Sequence, residues 1–191
     1  MRDWVKMNLG PTLEAAGMRR IKLMVLDHNQ AGLPWYSDII LAGNETYSYV
    51  DGIALHWYSD DYVPASVMNL MHQSYPEKFL LYTESCEGWH GIPNEQVLLG
   101  SWQRAENYAH NIIQDVNHWA TGWIDWNMVL DIQGGPNWAY NYVDAPIIVD
   151  KVQGVFYKQP MYYAMGHFSI YVTTGDIRIF SSIETSEDDP F

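Results

Sequence analysis

The sequence predicts an α/β fold organised around a parallel sheet. Three observations carry this expectation. Four short apolar runs are nearly continuous, as parallel strands buried on both faces are. Helix-like stretches separate them. The intervals from strand to strand are about 25 to 45 residues, ordinary for βαβ units. Apolar residues make up 48% and aromatic residues 15% of the 191-residue chain. That is enough to build one core, so one domain is expected and disorder is excluded.

In chain order, Asp3 to Leu9 reads as helical, with Gly10-Pro11 interrupting it. The first strand is Ile21 to Leu26, ending at Asp27. A helix from Pro34 to Leu41 opens with proline in its first turn and closes near Gly43. The second strand, Gly52 to Leu55, runs into His56-Trp57-Tyr58, and a helix over Ala65 to Gln73 follows. The third strand is Phe79 to Thr83, ending at Glu84. From Gln96 to Trp119 the apolar residues Leu98, Ala105, Ala109, Ile112, Val116 and Trp119 fall mostly at helical spacings. The fourth strand is Gly122 to Asn127, and a last helix spans Met161 to Tyr171, just after Pro160. The acidic stretch Glu184 to Asp189 is expected to fray.

With 23 acidic against 10 basic residues, the formal net charge is −13 and the pI about 4.7. No Lys/Arg cluster exists to neutralise phosphates, so nucleic acid is not expected as a partner, nor is a basic membrane-binding face. No apolar run reaches the roughly 18 residues of a membrane-crossing helix, and the N-terminus lacks the apolar stretch of a signal peptide. Cys86 is the single cysteine, which excludes an internal disulfide and a multi-cysteine metal site. The seven histidines form no HxH or HExxH pair, so no metal is expected. No GxGxxG, GxxxxGK[ST] or GxSxG occurs, so neither a nucleotide cofactor nor a serine nucleophile is expected. A sequon stands at Asn44-Glu45-Thr46. Among parallel folds, a flavodoxin-like sheet and part of a (β/α)8 barrel remain. A full barrel takes about 250 residues.

Ligands of such folds bind beyond the C-terminal ends of the strands. Here those ends carry Asp27, His56-Trp57-Tyr58, Glu84 and Asp125-Trp126-Asn127. Aromatic planes can stack on a pyranose ring while carboxylates and amides bind its hydroxyls, so the rim suits a sugar. Glu84 is the sharpest candidate, because its strand carries no other charge; the bland alternative is an ion-paired or solvated strand-end glutamate. His56 alone reads more readily as a hydrogen-bonded structural histidine than as a base. Asp125 and Trp126 are neighbours and should point to opposite faces. Cys86, close beyond Glu84, reads as a small buried residue.

Several blocks resemble the glucosylceramidases, acid β-glucosidases of glycoside hydrolase family 30. They are Asp51 to Tyr58, Thr83 to Gly88, Gly122 to Asn127, Gly134 to Trp138, Asn141 to Asp150, Phe156 to Tyr162 and Gly166 to Ser169. The resemblance runs from about Leu9 to about Ile179. It implies a partial TIM (β/α)8 barrel, about strands five to eight with their helices, occupying residues 1–179, with 180–191 as a tail. It implies retaining hydrolysis with Glu84 as nucleophile and Tyr58 orienting it. Trp126 would line the glucose subsite, and Asp27 and His56 would bind substrate from the same rim. Asn141 and Tyr142 match a pair at the mouth of the site, where the family usually has phenylalanine at the second position. His28 stands where the family tends to show a second acid, so no charge network is expected there. The aromatic excess at Trp57, Tyr58, Trp126 and Tyr142 is then read as a sugar site rather than core.

The family's acid/base lies in an Asn-Glu-Pro signature on strand four, and this chain contains none. Asn94-Glu95-Gln96 and Asn44-Glu45-Thr46 fall in the wrong places. The expectation is a C-terminal half-barrel, with Met1 internal to a longer protein. The resemblance further implies a glycolipid substrate, glucosylceramide, a saposin-type activator, a lysosomal membrane surface and a lysosomal location. The alternative is a non-catalytic carbohydrate- or glycolipid-binding module, or a pseudoenzyme that keeps the aromatic rim.

Overall fold

The computed structural model describes residues 1–92, 95–179 and 181. Its centre is a four-stranded sheet, β1 (Met24–Asn29), β2 (Gly52–His56), β3 (Phe79–Glu84) and β4 (Ala120–Trp123), in sequential order. Every neighbouring pair is parallel. Sequential parallel strands joined through helices are the wall of a (β/α) barrel. The acidic tail lies outside the described residues.

The helices cover one face of this wall. α1 (Arg2–Trp4), a π-helical segment (Val5–Leu9) and α2 (Gly10–Ala15) form a continuous run. Gly10-Pro11 does not interrupt it. Gly10 donates to the Val5 carbonyl across the wider turn, and Pro11 falls in the first turn of α2, where its missing N–H costs little. Glycine is required at position 10 because a Cβ there would lie 2.3 Å from the Tyr49 ring. Between β1 and β2 lie α3 (Trp35–Leu41) and α4 (Asn44–Tyr49); the second of these went unread in the sequence. α5 (Val67–Ser74) links β2 to β3, with Met68 and Met71 fully buried.

α6 (Trp102–Asn117) starts later than its periodicity suggested. Ser101 caps it, accepting from the Arg104 amide at 3.4 Å. Its buried face runs Ala105, Tyr108, Ile112, Asp115, spaced three or four apart. The main core joins Val25, Ile53, Leu55, Leu80 and Tyr82 of the sheet to Ile40, Leu41, Met68 and Met71 of the helices.

Two differences from the sequence reading concern strands. β1 runs to Asn29 rather than ending before Asp27, because a register shift between Leu26 and His28 inserts one extra residue. Asp27 is therefore bulged within the strand, with Leu26 at φ 80° and Asp27 at φ 51°. β4 ends at Trp123, so Asp125 and Trp126 lie just beyond it. A second sheet, β5 (Val129–Asp131), β6 (Ile147–Asp150) and β7 (Val155–Lys158), went unread. β5 and β6 are parallel, β6 and β7 antiparallel. α7 (Pro160–Tyr171) follows, where expected.

Candidate active site

Glu84 closes β3 at the C-terminal rim, with its side chain about a quarter exposed. The Tyr58 hydroxyl, just past the end of β2, donates to Glu84 Oε1 at 3.0 Å. It also lies 3.2 Å from Cys86 Sγ. Burial pushes the Cys86 thiol up to about 12, so it stays protonated at neutral pH. Burial likewise raises Tyr58, with the Cys86 thiol and Glu84 adding to the shift. The protons are therefore ordered: the thiol donates to the phenol oxygen, and the phenol donates to the carboxylate. Cys86 is fully buried and protonated, which suits it to holding Tyr58 and not to attacking a substrate.

On the other side of Glu84, His56 Nε2 stands 3.9 Å from Oε2 and 2.9 Å from Asp27 Oδ1. The Thr83 hydroxyl donates to the same Asp27 oxygen at 2.9 Å. The His56 hydrogen bond is the main reason the Asp27 carboxyl sits below its ordinary range; partial burial opposes it and Thr83 assists. An ionised Asp27 only accepts, so His56 carries its proton on Nε2, between the two carboxylates.

The backbone arranges this meeting. β2 passes its neighbours at two register shifts, one at Asp27 in β1 and one at Thr83 in β3. Each shift re-aims the following side chains, and the two extra residues meet each other above β2. Thr83 belongs to the site although sequence reasoning gave it no role. Bulges leave no local sequence signal.

Trp126 is 37% exposed, and its amide donates to the Ser85 carbonyl at 2.9 Å. This places it beside the residue that follows Glu84. Asp125 faces the other way: the Tyr108 hydroxyl reaches both its oxygens at 3.2 Å, and burial pushes it up to about 7. Both residues lie beyond the end of β4, so the strand alternation expected of this pair does not apply to them. Trp57 departs from its expected place on the rim. Its ring packs edge-on against Tyr108 at 5.4 Å and Trp123 at 6.4 Å, next to the main core. Asn141 is exposed on the loop between β5 and β6, and Tyr142 packs beside Gly135 and Tyr140. Among the described residues, no side-chain hydrogen bond joins either of them to the Glu84 cluster. No group of three or more His, Cys, Asp or Glu there could hold a metal ion.

The rim loops are fixed by a buried polar network. Arg104 of α6 pairs with Asp144, contacts Glu87 at 3.7 Å and donates to the Gln96 carbonyl at 3.0 Å. Gln159 donates to Asp144 and, at 2.9 Å, to the Ala145 carbonyl. Asn107 donates to Glu87 at 2.8 Å. One guanidinium thus ties the loop after Glu84 to the loop before β6.

A parallel βα wall with a hydrogen-bonded carboxylate at a strand end is the architecture of a TIM-barrel hydrolase rim, and the chain belongs to glycosyl hydrolase family 30. The TIM-barrel domain of that family matches residues 1–172. The chain is 47% identical over 185 residues to "Putative glucosylceramidase 3" of Caenorhabditis elegans, covering 96% of this chain and 35% of the relative. It is 42% identical over 182 residues to lysosomal acid glucosylceramidase of Mus musculus, covering 93% and 34%. Among solved structures, SrfJ from Salmonella typhimurium superposes with a TM-score of 0.79 at 30% identity, over 90% of this chain and 37% of that one. The chain thus spans about a third of the length of the curated relatives it matches.

Proposed function

We propose that this chain carries the nucleophile-bearing part of a retaining β-glucosidase of the glucosylceramidase type. The observation that carries the reading is the Glu84 carboxylate, held at a strand end by the Tyr58 hydroxyl with His56 and Asp27 on its other flank. Glu84 attacks the anomeric carbon and forms a glycosyl-enzyme ester while the leaving oxygen takes a proton. That proton comes from a second carboxylic acid, about 5–5.5 Å away in retaining enzymes. The acid lies outside this chain, which has no Asn-Glu-Pro. The same group then activates water, which releases the sugar and restores Glu84.

Tyr58 keeps one carboxylate oxygen oriented, leaving the other free to attack. Trp126 supplies an aromatic face for the glucose ring, and Asn141 and Tyr142 form the mouth. The substrate is a glycolipid, glucosylceramide, met at a lysosomal membrane surface with a saposin-type activator. The mouse relative's name supports that compartment.

The experiment is covalent trapping in the full-length enzyme. A mechanism-based fluoroglucoside should leave a sugar adduct on the peptide containing Glu84, and Glu84→Gln should lose nearly all turnover. Normal turnover by that variant would sink the assignment. Reversible sugar binding with no adduct would favour a binding module.

A further inference from the structure

We propose that Asp27 is a positioning residue for the nucleophile: it draws the His56 Nε2–H away from the Glu84 oxygen that attacks the sugar. The inference rests on Glu84 being the nucleophile.

His56 faces two carboxylates and serves one. Its Nε2 lies 2.9 Å from Asp27 Oδ1, a hydrogen-bond distance, and 3.9 Å from Glu84 Oε2, beyond one. The ring is half-buried, with His28 nearly parallel to it at 6.4 Å and Tyr58 edge-on at 6.2 Å. Tyr58 takes Glu84 Oε1. Among the described residues no hydrogen bond reaches Oε2, so its electron pairs stay available.

Asp27 is not placed there to satisfy a buried charge, since its side chain is 73% exposed. Its position is nevertheless costly. Leu26 and Asp27 are both left-handed, at φ 80° and 51°, a backbone conformation that L-residues largely avoid. The bulge that imposes this aims Asp27 at His56. Thr83, from the facing irregularity in β3, donates to the same oxygen at 2.9 Å and steadies it. Two irregular strands and a strained backbone thus serve one exposed carboxylate, which packing alone does not require.

A donor on Oε2 would act oppositely on the two half-reactions. When Glu84 attacks, Oε2 shares an electron pair with the anomeric carbon as the leaving group departs, and a hydrogen bond holds that pair back. When water displaces the sugar, the C–O bond breaks and its pair returns to Oε2, where a donor helps. By keeping the N–H on itself, Asp27 favours the first step over the second.

The test uses Asp27→Asn in the full-length enzyme. Asparagine keeps the shape and tolerates a left-handed backbone, but its amide oxygen competes poorly with the Glu84 carboxylate for the N–H. Inactivation by the fluoroglucoside reads the first step, and reactivation of the trapped enzyme reads the second. The ratio of reactivation to inactivation rate should rise about tenfold to a hundredfold, the worth of one hydrogen bond to a charged group. A merely structural defect slows both steps and leaves the ratio alone. In a His56→Phe background, with no N–H to redirect, Asp27→Asn should not move the ratio. An unchanged or lowered ratio overturns the proposal. So does a rise that persists with His56→Phe, because Asp27 would then act by its charge alone. Absence of an adduct on Glu84 in the parent enzyme overturns the nucleophile reading itself, and this inference with it.

Discussion

Asp115→Asn should make the decline of stability with rising pH shallower. Asp115 is enclosed between α6 and the sheet, without a partner for either oxygen. Burial, with Asp60 nearby adding to it, pushes its carboxyl up to about 9. The folded protein therefore keeps a proton that the unfolded chain has released above about pH 4. Stability from this group is complete below the unfolded value and is lost as pH rises toward the folded one. The slope is about 1.4 kcal/mol per pH unit, or about 3 kcal/mol between pH 5 and 7. Asp60 and Asp125, both pushed up to about 7 chiefly by burial, act in the same direction between about pH 4 and 7. Asparagine is nearly isosteric and neutral throughout. Urea denaturation across this range should show the variant with a shallower decline, and more stable than the parent at neutral pH. Equal slopes in the two proteins would refute the argument.

Three further outcomes follow from the site and its supports. Tyr58→Phe removes a hydrogen bond to a charged group, worth about 1.5–3 kcal/mol; kcat of the full-length enzyme should fall about 10–100-fold with little change in KM. Arg104→Met leaves Asp144 and Glu87 buried without their counter-charge, so the urea midpoint should drop by an amount equivalent to about 3–5 kcal/mol. Gly88→Ala forces a left-handed residue at φ 76° and sets a Cβ 2.2 Å from the Gln96 carbonyl. Tm should fall by several degrees, with activity declining as the loop after Glu84 shifts.

The long elements were legible because their signals are local. Apolar runs marked β2 and β3, a helical period marked α6, and Pro160 marked the start of α7. The two strand ends bearing Tyr58 and Glu84 followed from those runs. β5 and β7 were harder: strands of three and four residues with exposed positions lack a period long enough to see. Trp57 shows the limit for single residues, since the same indole suits a rim or a core and only its neighbours, Tyr108 and Trp123, decide.

By itself the sequence determined the parallel wall, the placement of Glu84 and Tyr58 near its rim, and the absence of an Asn-Glu-Pro partner. Composition, period and strand-end position are properties of consecutive residues, and they survive without coordinates. The tertiary structure decided what depends on distant chain segments meeting. The paired bulges bring Thr83 to Asp27 across 56 positions of sequence. The Arg104 clamp draws in Asp144 from 40 positions away. Asp115 and Gln30 open onto one cavity from opposite sides of the chain. Register and burial are collective properties of the sheet and its helices, so no window of sequence contains them.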